Sequence, residues 1–241
     1  MFFWQPQMIR FMRDASEFGS FPAKIAQQVA SHLPNDAQVC DAGCGLGYLS
    51  LALSPLCSHV TAVDISADAL AVLTENIRRQ ACHNIQVVEG EIGVCPPDDP
   101  YDAMVFCFFG GISETLLLAK QQCRGKVLMI KKSWERHRFT LSGKPLECFT
   151  LADTQQHLLE LGIPFQTDTF RVEMGQPFGS IEDAVVFFRL YIPDPRASSI
   201  KADAQSEKQI HQDSERFPYF LPSKAELGLV VLNTDDIPDF I

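Results

Sequence analysis

Short apolar runs alternate with longer amphipathic stretches through the first two-thirds of the chain. The runs over 38–42 (QVCDA), 59–64 (HVTAVD), 84–89 (NIQVVE), 101–108 (YDAMVFCF) and 126–131 (KVLMIK) carry apolar residues at both odd and even positions. Strands of that kind are buried on both faces, as in a parallel sheet. Between them the period changes. Residues 67–81 place Leu70, Leu73 and Ile77 at helical spacing behind Ser66 as an N-cap, and 112–122 and 151–161 read the same way. Strands alternating with helices predict βαβ units, and so an α/β fold with a doubly wound sheet.

The flanks depart from this rhythm. Residues 6–13 and 22–33 predict two helices joined by a linker over 14–21, with Pro22 in the first turn of the second. After the fifth strand, RFTLSGKPLECF suggests a hairpin within 133–149. Residues 165–173 and 226–234 predict two further strands, which brings the sheet to seven. Ser180-Ile-Glu-Asp183 is a capping-box-like start for a helix carrying Ala184, Val185, Phe188 and Tyr191, a stripe suited to the core or to a homodimer interface. Residues 193–216 are polar. The expected organisation is an N-terminal helical cap over 1–35 and a main domain over 36–241. That domain would hold a hairpin insertion at about 133–149 and a helical and polar insertion at about 175–225.

Composition narrows the class. With 241 residues and 46% hydrophobic content, the chain can bury a sizeable core, and no stretch approaches the ~20 apolar residues of a membrane span. The start, MFFWQPQMIRFMRD, lacks the pattern of a secretory leader, so a cytoplasmic location is expected. The eight cysteines form no C-x-x-C pair and mostly sit in apolar runs, which reads as buried free thiols rather than a metal site. A net charge of −10 argues against a nucleic-acid-coating protein, yet the window 124–144 holds seven Lys/Arg against Glu135 alone.

The most informative stretch is Val39-Cys-Asp-Ala-Gly-Cys-Gly-Leu-Gly-Tyr48, where a buried strand runs into Gly43-x-Gly45-x-Gly47 and then a helical pattern. Glycines there let the backbone turn sharply and a ligand approach the main chain at the C-terminal edge of the sheet. A dinucleotide site wants G-x-G-x-x-G, but the third glycine comes one position early and Tyr48 stands in its place. Asp41, two residues before the first glycine, repels a pyrophosphate and suits an ammonium group.

The string DAGCGLG closely resembles motif I of the class I S-adenosylmethionine-dependent methyltransferases, and the resemblance extends over about 22–131. It implies a Rossmann-like seven-stranded mixed sheet and S-adenosylmethionine as cofactor. By that resemblance the turn itself (Asp41, Ala42, Gly43, Cys44, Gly45, Gly47) receives the cofactor. Asp64 in AVDIS bonds the ribose hydroxyls, Ile65 packs near the adenine, Glu91 in EGEI meets the adenine amino group and Ile92 lines the ring. In many relatives an N-terminal helical segment closes over the cofactor, a role that suits the aromatic residues Phe2, Phe3, Trp4, Phe11, Phe18 and Phe21, which equally suit ordinary packing of a cap helix.

The acceptor side is less legible. Past the fourth strand, relatives that methylate exocyclic or amide nitrogens often carry Asn/Asp-Pro-Pro-Tyr/Phe, whereas this chain has Val105-Phe-Cys-Phe-Phe-Gly-Gly111. That departure counts against methylation of bases or glutamine amides. Phe108 and Phe109 are candidate acceptor-pocket residues or sheet-end core. Phe18, Lys131 and Trp134 are further acceptor candidates, and His137 is a weak candidate base. Cys107, in an apolar run with no activating base, is a poor nucleophile. The reading is a methyltransferase acting on a small molecule. The alternatives are RNA or protein methylation through the 124–144 strip, and a non-catalytic S-adenosylmethionine-binding module.

Overall fold

The computed structural model describes residues 4–94, 96–135, 149–191, 207–208 and 215–239. The chain opens with helices α1 (Pro6–Phe18) and α2 (Phe21–Ala30). Strand β1 (Gln38–Ala42) then leads into α3 (Tyr48–Leu53), β2 (His59–Asp64), α4 (Ala67–Gln80), β3 (Ile85–Glu89), β4 (Tyr101–Cys107), α5 (Ile112–Gln122) and β5 (Cys123–Lys132). Helix α6 (Leu151–Glu160) precedes β6 (Gln166–Glu173). Next come β7 (Gln176–Phe178), α7 (Ile181–Tyr191), β8 (Glu207–Lys208) and β9 (Tyr219–Leu221), and β10 (Lys224–Asn233) completes the series.

The main sheet runs β3-β2-β1-β4-β5-β10-β6. The first five strands are parallel, and β10 lies antiparallel between β5 and β6. The chain reverses outward from β1 in both directions, so the loops after β1 and β4 meet at the switch point where α/β sheets bind ligands. Side-chain alternation explains the two cores. Cys40, Ala42, Met104, Phe106, Val127 and Met129 pack beneath α5 and α6, while Val39, Ala103, Val105, Leu128 and Ile130 pack beneath α2 and α3. No helix among the described residues is long and apolar enough to cross a membrane.

Three elements differ from expectation. Helix α1 continues through Asp14–Phe18, which the polar sequence marked as linker, because Asp14, Ala15 and Ser16 are its buried face. The polar part of that face is matched from afar, by Arg216 donating to Asp14 at 2.7 Å. Strand β4 stops at Cys107, since Phe108 turns to a left-handed φ of 57°. The insertion near 175–225 holds a small antiparallel sheet, β7-β9-β8, besides its helix. The hairpin expected within 133–149 lies largely outside the described residues, as does most of 193–216.

Helix α7 packs into a third core made of Phe11, Phe178, Ala184, Phe187, Phe188 and Leu221. Phe11 meets Phe187 and Phe178 edge-on at 5.2 and 6.1 Å, and Arg10 pairs with Asp183 at 2.6 Å. The N-terminal helix and the late insertion are therefore one packing unit.

Candidate cofactor and acceptor site

At the C-terminal end of β1 the backbone turns through Gly43, Gly45 and Gly47, with φ of 69°, 53° and 70°. Each value lies where a Cβ costs energy, about 1 kcal/mol or more. The turn is anchored by N–H groups of Gly43 and Cys44, which donate to Val63 O at 2.9 and 3.0 Å. A side chain on Gly47 would run into Leu73 of α4, and one on Gly43 would run into the Phe109 ring. Trp4 lies over Gly45, its ring 2.9 Å from where a Cβ would stand. Gly47 thus seats a helix, while Gly43 and Gly45 present bare backbone beneath two aromatic rings.

Two acids flank the turn. Asp64, at the end of β2, accepts from the Gly45 N–H at 2.8 Å through one oxygen and from the Ser66 N–H at 2.9 Å through the other. A carboxylate has about four lone-pair sites, so both oxygens retain capacity for a ligand's hydroxyls. Ile65 beside it is 45% exposed on a surface where a ring can pack. Glu91 is exposed after β3, and Ile92 is buried there, its carbonyl accepting from Gln122 at 2.6 Å. Asp41, Ala42, Gly43, Cys44, Gly45, Gly47, Asp64, Ile65, Glu91 and Ile92 thus lie along the C-terminal ends of β1, β2 and β3.

Asp41 is 1% exposed and accepts from the Ser50 hydroxyl at 2.6 Å. Burial pushes its carboxyl up to about 6, helped by the charge of Asp64 and opposed by Ser50. A carboxyl raised above its unfolded value of 3.8 favours folding only while protonated. Its contribution is complete below that value and is lost as pH rises through about 6. The ionised group then costs the fold about 3 kcal/mol at pH 8. Asp41→Asn keeps an acceptor for Ser50 without the charge. It is expected to raise the melting temperature at pH 8 by roughly 5–10 °C and to flatten the loss of stability between pH 4 and 7, measured by thermal unfolding across that range.

At the end of β4, Phe108 holds a strained left-handed conformation, of order 1–3 kcal/mol for a residue with a side chain, and Gly110 follows with φ of 72°. The loop is tied to β5 by the Phe108 N–H donating to Ile130 O at 3.1 Å. Lys131, 3% exposed, points its Nζ to within 3.4 Å of the Gly110 carbonyl. Trp134 packs against the core beneath α2 and α3. Phe18 packs with Phe217 and Phe220 at 5.7 and 5.3 Å, joining α1 to the insertion. His137 lies outside the described residues. Desolvation, reinforced by Asp41, pushes the Cys107 thiol far above its ordinary range despite both lysines, and Cys44 is raised for the same leading reason. Neither thiol is a nucleophile at neutral pH.

Two contributors were not singled out in the sequence. Ser50 engages Asp41 from one turn into α3, and Phe149 touches the loop at Gly111, 3.6 Å from where a Cβ would stand. A hydroxyl and an aromatic residue outside any motif carry no local signal. The described cations of the basic window fall in two places. Arg124 pairs with Asp102 at 2.7 Å and Lys126 with Asn233 at 2.7 Å, both at the N-terminal edge of the sheet. Lys131 and Lys132 lie at the other edge, about 20 Å along the strand.

Residues 39–123, from β1 to the start of β5, match the family model of a methyltransferase domain. Among solved structures the fold is similar to YcgJ of Bacillus subtilis, with 14% identity over 88% of this chain and 98% of that one, at a TM-score of 0.56. It is also similar to a SAM-dependent methyltransferase of Aquifex aeolicus, with 20% identity over 70% and 94% of the two chains and a TM-score of 0.54. Precorrin-6y C5,15-methyltransferase of Geobacter metallireducens shares 13% identity over 86% and 85%, with a TM-score of 0.50. At these identities the likeness is one of fold.

Proposed function

We propose that this chain, whose residues 39–123 match a methyltransferase domain, is a class I S-adenosylmethionine-dependent methyltransferase that methylates a small molecule held where β4 and β5 end, beside a cofactor seated on the glycine turn. In this reading Gly43 and Gly45 receive the cofactor against bare backbone, between the Phe109 and Trp4 rings. Asp64 takes the ribose hydroxyls with its remaining lone pairs. Ile65 and Ile92 bracket the adenine and Glu91 accepts from its amino group. Asp41, once ionised, attracts the ammonium group, so Asp41→Asn weakens cofactor binding while it stabilises the fold.

The cofactor supplies an electrophilic methyl group, which leaves the chain to hold, orient and exclude water. Orientation alone supplies as much as ~7–11 kcal/mol, so the account needs no strong base. Trp4, over the turn, stands just ahead of helix α1, which is fastened by a polar network. Tyr48 donates to Glu17 at 3.1 Å, and Arg216 bonds Asp14 at 2.7 Å and Glu17 at 3.2 Å. Burial opposes ionisation of Glu17, but hydrogen bonds from Tyr48, Arg216 and Arg79 outweigh it and hold the carboxyl below its ordinary range.

The observation that carries the small-molecule reading is the division of the basic window. A docking strip for RNA needs a continuous row of free cations. Here Arg124 is ion-paired with Asp102, Lys126 is tied to the Asn233 amide, and both lie at the sheet edge opposite the glycine turn. The test is to incubate the protein with methyl-labelled cofactor and a fractionated cell extract. Label is expected in the low-molecular-mass fraction. Label in RNA or protein would replace this reading with the basic-strip one, and no transfer despite cofactor binding would favour a non-catalytic module.

A further inference from the structure

The acceptor-side residues carry a chemical signature of their own, read on the assumption that this edge is the acceptor site. Phe106, within β4, is fully buried, whereas Phe108, two residues on, is 37% exposed. The left-handed backbone at Phe108 turns the ring out of the sheet, against the usual preference of a bulky residue. Strain of this kind persists where the surroundings over-determine it, and it gathers at ligand sites. Phe149 presents a second ring, 50% exposed, against Gly111 of the same loop.

Charge sits beside the rings. Lys132 Nζ lies 5.4 Å from the centre of the Phe108 ring and makes no ion pair among the described residues. The neighbouring Lys131 turns inward to the Gly110 carbonyl and braces the loop. One ammonium therefore supports the loop and the other stands at an exposed aromatic face. Two ring faces with one cation fit a planar apolar body bearing one negative charge.

We propose that this edge receives an aryl carboxylate, its ring packed on Phe108 and Phe149 and its carboxylate paired with Lys132. A neutral apolar acceptor would leave Lys132 without a role. Single-stranded RNA also uses stacking rings with cations, but it needs a track of positive charge along its backbone. The described residues offer one available lysine at this edge, in a chain of net charge −10.

The test titrates the purified protein with 2-naphthoate, 2-naphthamide and cyclohexanecarboxylate by calorimetry, with and without saturating S-adenosylhomocysteine. 2-Naphthoate is expected to bind about tenfold more tightly than either comparison compound. Lys132→Gln should remove that tenfold advantage over the amide and leave naphthamide and S-adenosylhomocysteine binding unchanged. Phe149→Ala should weaken both naphthyl probes equally. Equal binding of acid and amide would overturn the proposal. So would an acid preference that survives Lys132→Gln, or tighter Lys132-dependent binding of a single-stranded oligoribonucleotide. A failure of S-adenosylhomocysteine to bind would strike the cofactor reading instead, and the probe ratios measured without it still decide this one.

Discussion

Asp64→Ala is expected to weaken S-adenosylhomocysteine binding by about 10²–10³-fold, from two charge-assisted hydrogen bonds of about 1.5–3 kcal/mol each, partly offset by water. The loss has two sources in the structure. The carboxylate is the proposed partner of the ribose hydroxyls, and it also holds the Gly45 and Ser66 N–H groups at 2.8 and 2.9 Å. Alanine removes the ligand contact and frees both amides, so the turn itself loosens. Asp64→Asn keeps the shape and one of the two acceptor oxygens and should lose less, about tenfold. Calorimetric titration of the two variants separates the roles: equal losses would mean that the charge, not the geometry, carries the site.

Gly47→Val is expected to be the most damaging substitution to the fold within the turn. A β-branched residue at φ of 70° is strained, and its side chain would run into Leu73. Strain and overpacking together cost about 3–5 kcal/mol, a fall of roughly 10 °C or more in melting temperature for a chain of this size. Gly162→Ala is the control. That glycine has φ of 68° but nothing within 4 Å of the added Cβ, so only strain of about 1–2 kcal/mol is expected. If the two variants unfold at the same temperature, packing against α4 is not what holds the turn.

Much of the core was legible because its signals are local. Strands β1 to β5 carry apolar residues on both faces, and the glycine turn, Asp64 and Glu91 sit at the ends of such runs. What escaped depends on distant partners. The end of α1 reads as linker because Asp14 and Glu17 are polar, and they are fastened by Arg216, some two hundred positions away. Strands β7 and β9 hold three residues each, too short for a period to show. The left-handed turn at Phe108 follows from closing the β4 end onto β5, not from the residue type. The basic window divides for a geometric reason, since β5 carries Lys126 to one edge of the sheet and Lys131 and Lys132 to the other.

The glycine turn, in this reading, seats an adenosyl cofactor rather than a dinucleotide. Calorimetric titration of the purified protein with S-adenosylmethionine, S-adenosylhomocysteine, NAD and NADP tests it most directly. One-to-one binding of both adenosyl ligands and of neither dinucleotide is expected. Folded protein that ignores the adenosyl ligands, or prefers NAD, would contradict it.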